Sequence, residues 1–312
     1  MNNTSLAPIV LFVYNRPWHT QQTVAALQKN ELANQSELFI YSDAAKNDSA
    51  RQSVEEVRAF IKNIHGFKKI TVIERADNWG LANSIIDGVT TVINQYGKVI
   101  VLEDDLIVTP HFLAFMNRTL DKYETEPQVI QVSGYMFPIT IETEEDALFL
   151  PLTTSWGWGT WKRAWELFDP EAKGYARVKA DLKLRKQFNL DGAYDYFSML
   201  EAQLAGKVDS WAVRWQLSSF LNNKLTVYPK TSLIVNAGFD GSGTHGLTLG
   251  LLTRAKTNGE FDLKKFPEEI KVSDSWKNVC QALKNRWTIL DRIKRRAHLI
   301  ISRLTKIAGI ST

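Results

Sequence analysis

The chain has 312 residues, 44% hydrophobic and 23% charged, with a net charge of +4 and one cysteine, Cys280. That length admits one large domain or two modest ones, and the composition is that of an ordinary soluble globular protein rather than a disordered or membrane-embedded one. A single cysteine excludes an intrachain disulfide and argues against a cysteine-based zinc site, so a reducing cytoplasm is the natural compartment, with Cys280 itself a small, partly buried apolar residue.

Met1 to Ala7 is polar without Lys or Arg, and the apolar run Pro8 to Tyr14 is too short for a signal-peptide core or a membrane span. It is expected to form the first strand, over Ile9 to Tyr14. Helical and strand patterns then alternate: helix His19 to Lys29, strand Glu37 to Tyr41, helix Ser49 to Asn63, strand Ile70 to Ile73 and helix Leu81 to Tyr96. Strand Val99 to Leu102, helix Pro110 to Tyr123 and strand Val129 to Ser133 follow. This alternation predicts βαβ units on a mostly parallel sheet with helices on both faces, and in such sheets ligands bind at the carboxyl ends of the strands.

The residues at those ends are therefore informative together. The first strand runs into Asn15-Arg16-Pro17, the second into Ser42-Asp43, the third into Asp77-Asn78-Trp79-Gly80, and the fourth into Glu103-Asp104-Asp105. Each set alone is ordinary turn chemistry. Three adjacent carboxylates, however, repel one another unless a cation sits among them, commonly a divalent metal with oxygen ligands, which points to metal-assisted chemistry on a phosphate. An acid cluster favoured by the dipole of the helix expected from Pro110 is the competing reading.

After Pro138 the pattern changes. Glu142 to Asp146 is an acidic loop, and Thr153 to Trp161 places Trp156, Trp158 and Trp161 among Gly157 and Gly159. Glycines permit close backbone approach to a ligand, and indole faces stack on sugars. Trp156, Gly157 and Trp158 are accordingly expected to line a site, whereas Trp161 and Trp165, at helical spacing, are expected in the core. Ala193 to Leu204 reads as a helix, and Asp209-Ser210-Trp211 opens another. Short strands Val227 to Pro229 and Leu233 to Val235 precede the glycine-rich segment Asn236 to Gly246, whose backbone N–H groups could hold a phosphate beside His245.

From Lys284 to Lys306, eight basic residues face one acid, Asp291, an excess of +7 that leaves −3 on the rest of the chain. Leu283, Trp287, Leu290, Ile293, Ala297, Ile300 or Ile301, Leu304 and Ile307 form an apolar stripe beside them. A basic amphipathic helix of this kind suits the surface of an anionic membrane, although a packing or oligomer helix would look similar. Nucleic acid is not expected, because the basic residues accompany aliphatic rather than stacking side chains.

Together these features resemble the GT-A glycosyltransferases, nucleotide-sugar-dependent enzymes with an α/β sandwich. The residues that carry the likeness are Asn15-Arg16, Ser42-Asp43, Asn78-Trp79-Gly80-Leu81-Ala82 and the DXD-type run Val101-Leu102-Glu103-Asp104-Asp105, within roughly residues 8 to 246. The N-acetylglucosaminyltransferase I type and bacterial family 2 enzymes are the nearest in pattern, with Glu-Asp-Asp followed by a hydrophobic residue, a proline and a helix. The resemblance implies a donor-binding half at 1–135, an acceptor-side half of the same domain at 136–265, and a basic helical tail at 266–312. It implies that Asp105 coordinates Mn²⁺ or Mg²⁺ on the diphosphate of a UDP-linked sugar, while Glu103 and Asp104 contact ribose and sugar. Arg16, Asp43 and Asn78 would lie near the nucleotide, Asp43 accepting the uracil N3–H. Thr244 and His245 would close on the diphosphate, Trp156-Gly157-Trp158 would face the acceptor, and Asp209 would be the general base of an inverting reaction.

The implied activity is metal-dependent sugar transfer to a glycan or lipid-linked acceptor in cell-envelope polysaccharide synthesis, on the cytoplasmic face of the membrane. The motif departs from the family in being Glu-Asp-Asp rather than Asp-X-Asp, and correspondence between Pro138 and Asp209 is loose. Two alternatives stay open: a nucleotidyltransferase, against which stands the lack of a glycine-rich loop with a following lysine after the first strand, and a non-catalytic sugar-binding protein of the same fold.

Overall fold

The computed structural model describes residues 5–239, 257 and 261–285. Thr244, His245 and the basic stripe from Trp287 onward lie outside the described residues.

Strand β1 (Ile9–Val13) is buried along its whole length, as a run of five apolar residues must be when both neighbours and both faces are covered. It pairs in parallel with β2 (Glu37–Ser42) on one side and β4 (Lys98–Glu103) on the other, and β3 (Lys69–Glu74) extends the parallel set beyond β2. The connections are helices: α1 (Pro17–Gln28), with Pro17 supplying the preset backbone angle of a first turn; α2 (Asp48–Ile61), capped by the Asn47 side chain; and α3 (Leu81–Tyr96). This half matches the α/β expectation closely, because each element buries one periodic apolar face.

The second half departs from it. β4 does not lead straight to a helix: a short strand β5 (Leu106–Val108) intervenes and α4 (Phe112–Lys122) begins after it. Beyond β6 (Val129–Ser133) and β7 (Ala147–Leu150), the segment expected as a tryptophan-lined loop contains strand β8 (Trp158–Trp161), inserted antiparallel between β4 and β6. Strand β9 (Leu225–Pro229) pairs with β6 and β7, giving the order β3-β2-β1-β4-β8-β6-β9-β7, while β10 (Ile234–Asn236) pairs antiparallel with β5 as a separate ribbon.

Residues three apart on a strand point to opposite faces, and β8 uses both. Trp158 packs among Trp165 of α5 (Lys162–Trp165) and Trp211 and Trp215 of α9 (Trp211–Leu221), whereas the Trp161 indole N–H donates to the Leu120 carbonyl of α4 (2.9 Å). Helices therefore cover both faces. A smaller core, built on Val178, Phe188, Phe197, Leu200, Val213 and Leu217, joins α6 (Tyr175–Ala180), α7 (Leu182–Phe188) and α8 (Tyr196–Leu204) to α9. Helix α10 (Trp276–Lys284) buries Val279 and Leu283 against Tyr135, Leu150 and Tyr228, so this segment, expected in the basic tail, packs onto the globular body. Among the described residues, no helix is long and apolar enough to cross a membrane.

Gly157, expected to approach a ligand, is instead required by packing. Its φ is +57°, and a Cβ there would lie 2.0 Å from Ile234 Cδ1 and 3.2 Å from Leu102 Cδ2. Gly157→Ala should destabilise the fold by about 2 kcal/mol through backbone strain and overpacking. Adding Ile234→Val, which removes the clashing methyl, should recover part of that loss in urea denaturation; a Gly157→Ala variant as stable as the parent would contradict the packing account.

Candidate active site

Glu103 closes β4, and Asp104 and Asp105 form the turn into β5. Because β5 intervenes and α4 starts only at Phe112, the acids do not sit in the first turn of the helix whose dipole was expected to favour them. What faces them is Arg16, held between β1 and α1. Its guanidinium ion-pairs with Asp104 and, through Nη1 at 3.0 Å, with Asp105. Burial alone would lower the Arg16 pKa, but the two carboxylates outweigh it and the pKa rises. Asp104 is further tied by the Tyr14 N–H (3.4 Å), and the Thr23 hydroxyl donates to its carbonyl (2.8 Å).

One cation among three acids leaves the turn short of positive charge. Burial, reinforced by Asp105 and Asp104, pushes the Glu103 carboxyl up to about 8 with only Arg16 opposing. Burial likewise pushes Asp104 up to about 6 against the pull of Arg16. This donor set of carboxylate oxygens fits a hard divalent cation, with Asp105 the more accessible of the two turn carboxylates. Among the described residues no cluster of three or more His, Cys, Asp or Glu side chains could hold a metal by itself. A cation here would therefore complete its shell with phosphate oxygens and water, as Mg²⁺ commonly does. Arg16→Leu, which strands Asp104 without its partner, should cost about 3 kcal/mol, at the low end for a broken buried pair because Arg16 is partly exposed. Chemical denaturation measures it, and a loss below about 0.5 kcal/mol, the range of an ordinary surface change, would show that Arg16 does not hold the turn.

The β10–β5 ribbon brings the start of the glycine-rich segment onto the same turn. The Ala237 N–H donates to the Asp105 carbonyl (2.8 Å), and a Cβ on Gly238 would sit 2.2 Å from Asp105 Oδ2 and 3.0 Å from Arg16 Nη1. A side chain at this position would have to displace the ends of both. The following Phe239 meets Trp156 edge to face at 5.6 Å, and Trp156, half-buried, also packs on Tyr135.

Asp43 and Asn78 are brought together but are engaged with each other. Asp43 accepts from the N–H groups of Ala44 (3.0 Å), Trp79 (2.9 Å) and Gly80 (2.9 Å) and from the Asn78 side chain (3.0 Å), which also donates to the Ala44 carbonyl. Four donors use the acceptor positions of one carboxylate. In this structure the pair braces the turn after β3, where a direct Asp43–uracil contact was expected from the resemblance.

Asp209 comes to the same turn from the other half of the chain. It is exposed, lies just before the first turn of α9, and accepts the Ala82 N–H at the start of α3 through Oδ2 (3.2 Å), with Gly80 alongside. Trp158 does not line the site: it is 0% exposed and stacked on Trp211 at 4.9 Å, because β8 carries it into the sheet. Gly157 is buried beside it, whereas Trp161 and Trp165 are core residues as expected. The sequence marked Trp79 only as part of the Asn-Trp-Gly turn and Gly238 only as part of the glycine-rich run, and gave no signal for Arg75, whose guanidinium lies 3.8 Å over the Trp79 ring.

The model of glycosyl transferase family 2 matches residues 9–164, half of the chain, from β1 to α5. The chain belongs to this family, with the GT-A type of fold. No curated protein sequence matches it. Among solved structures it is similar to Staphylococcus aureus TarS 1–349, at 11% identity over 74% of this chain and 60% of that one, with a TM-score of 0.42. It is also similar to the Pyrobaculum calidifontis mannosyltransferase PcManGT in complex with GDP-Man and Mn²⁺, at 12% identity over 70% and 74% of the two chains and a TM-score of 0.36. A UDP-glucose pyrophosphorylase complexed with UDP-glucose is matched at 11% identity over 72% of this chain and 90% of that one, TM-score 0.36. The chain thus spans 60% of the TarS fragment.

Proposed function

We propose that this protein transfers a sugar from a nucleotide donor, UDP-linked, to a hydroxyl of a glycan or lipid-linked acceptor with inversion, in cell-envelope polysaccharide synthesis. The observation that carries the reading is the acidic turn Glu103-Asp104-Asp105 at the carboxyl edge of β4, overlaid by Gly238 and faced by Arg16. Membership of the family supports the reaction class.

In this mechanism Asp105 would hold Mn²⁺ or Mg²⁺, which when bound would supply positive charge against the leaving diphosphate. Arg16 fixes the acidic turn, and Glu103 and Asp104 face the ribose and sugar. Asp43 and Asn78 act near the nucleotide by holding the turn that carries Trp79 and Gly80. Trp156 walls the acceptor side. An acceptor hydroxyl with a pKa far above neutrality needs a positioned base, and Asp209, anchored through one oxygen at the start of α3, takes that proton. Thr244 and His245 close on the diphosphate, and the basic tail holds the enzyme to the cytoplasmic face of an anionic membrane.

The experiment is a thermal-shift screen of UDP-, GDP-, dTDP- and CMP-sugars with and without Mn²⁺. A true donor stabilises the folded state by mass action, by about 2.7 kcal/mol at one hundred times its Kd. Metal-dependent stabilisation by a UDP-sugar is expected, and indifference to every nucleotide sugar would refute the proposal.

A further inference from the structure

Where parallel strands end, backbone carbonyls lose the strand partner that would have paired them, and buried ones need another donor. At the ends of β2 and β3 that donor is Arg58, in the last turn of α2. Its Nη2 donates to the Arg75 carbonyl at 2.7 Å and lies 3.4 and 3.5 Å from the carbonyls of Asp43 and Ser42, while Nε faces the Ser42 hydroxyl at 3.4 Å. One guanidinium thus spans the ends of both strands. Its ion pair with Glu74 is long, 3.9 Å, and Glu74 has Lys62 closer, at 3.0 Å, so the carbonyls rather than the carboxylate fix its place.

Arg75 opens the turn that closes at Gly80, and this turn is fastened at both ends. At its start Arg58 takes the Arg75 carbonyl, and at its end the Asp43 side chain takes the N–H groups of Trp79 and Gly80, each at 2.9 Å. Arg58 also approaches the Asp43 carbonyl, so the two fastenings are tied to each other through one side chain. The Arg75 guanidinium lies 3.8 Å over the Trp79 ring and pairs with Asp87, so a shift of the Arg75 backbone would carry Trp79 with it. Helix α3 beyond the turn has its own anchor, because Ala82, Ile85, Val89 and Val92 are buried in the main core.

We infer that Arg58 is a positioning residue that sets nucleotide affinity from outside the site, by holding Asp43 and the 75–80 turn in register. The inference rests on the sugar-transfer reading, in which Asp43 and Asn78 lie near the nucleotide. It concerns a residue whose polar contacts are to strand ends and Glu74, not to the acidic turn or Asp209.

Arg58→Met keeps the aliphatic stem and removes the donors. In the full chain with Mn²⁺ it should weaken UDP binding about three- to tenfold by calorimetry, up to what one charge-assisted hydrogen bond contributes. The rate of UDP release from a saturating UDP-sugar should stay within about twofold, because α3, which meets Asp209, keeps its own packing. A merely structural loss would do the reverse: a smaller folded fraction lowers the saturated rate and leaves the affinity of the remaining enzyme unchanged. Hydrogen exchange without nucleotide is a second readout, and the amides of Trp79 and Gly80 should exchange faster in the variant while those of Val89 to Ile93 do not. Glu74→Gln, which removes the long ion pair, should change neither measurement. In an Asp43→Asn background Arg58→Met should add little, since both act on one turn.

Unchanged UDP affinity, unchanged exchange at Trp79 and Gly80, equal weakening by Glu74→Gln, or full additivity with Asp43→Asn would each overturn the inference. If the parent binds neither UDP nor any nucleotide sugar, the sugar-transfer reading fails, and exchange at Trp79 and Gly80 still decides whether Arg58 holds the turn.

Discussion

Asp209→Asn is expected to lower the rate of sugar transfer by about a thousandfold while leaving metal-dependent nucleotide binding within a factor of two or three. A positioned general base contributes on the order of 10²–10⁴ in rate, and asparagine keeps the size and the hydrogen bond to the Ala82 N–H while losing the ability to take a proton. The separation of the two effects follows from placement. Asp209 meets the start of α3, whereas the acidic turn belongs to the loop between β4 and β5 and is held by Arg16. Transfer would be followed by nucleotide release with the donor found in the thermal-shift screen. Turnover near the parental rate would remove Asp209 from the mechanism, and loss of nucleotide binding in the same variant would recast it as a structural brace for the turn after β3.

Asp105→Ala should abolish Mn²⁺-dependent stabilisation by the nucleotide, weakening it by more than about 100-fold. Even losing a group that merely orients a metal ligand commonly costs about 10–100-fold in affinity. The same substitution should not weaken the metal-free fold. Burial is the main cause that pushes Glu103 up to about 8, and Asp105 and Asp104 add to it, so removing one of three like charges relieves repulsion while Arg16 keeps Asp104 as a partner. The expected pattern is a metal-free melting temperature at or above that of the parent together with no response to UDP and Mn²⁺. Tight metal-dependent UDP binding by the variant would place the metal elsewhere, and a fall in the metal-free melting temperature would mean that the Arg16–Asp105 contact contributes more than the repulsion it offsets.

The first half of the fold was legible because its elements are local and periodic. Helix Leu81–Tyr96 and strand Val129–Ser133 coincide with the expected bounds, and β1, β2, β3 and β4 differ from theirs by a residue or so at an end. Strand β8 was not legible. Trp158-Gly159-Thr160-Trp161 has the composition of a ligand-facing loop, and only its insertion between β4 and β6 makes it a strand. The same non-local pairing explains Trp158, which local sequence places beside a site and tertiary packing places against Trp211. Strand β5, three residues long, owes its existence to β10 more than a hundred positions away.

By itself, the sequence determined the βαβ order of the donor half, the acids that end β4 and the polar residues at the neighbouring strand ends, because hydrophobic periodicity and turn chemistry act over a few residues. Only the tertiary structure decided which of those residues face one another. It placed Arg16 on Asp104 and Asp105, Gly238 over them, Asp43 into the turn that carries Trp79, and Asp209 at the start of α3. Those contacts depend on sheet order and on strand pairings between distant parts of the chain, which the pattern of any one segment does not contain.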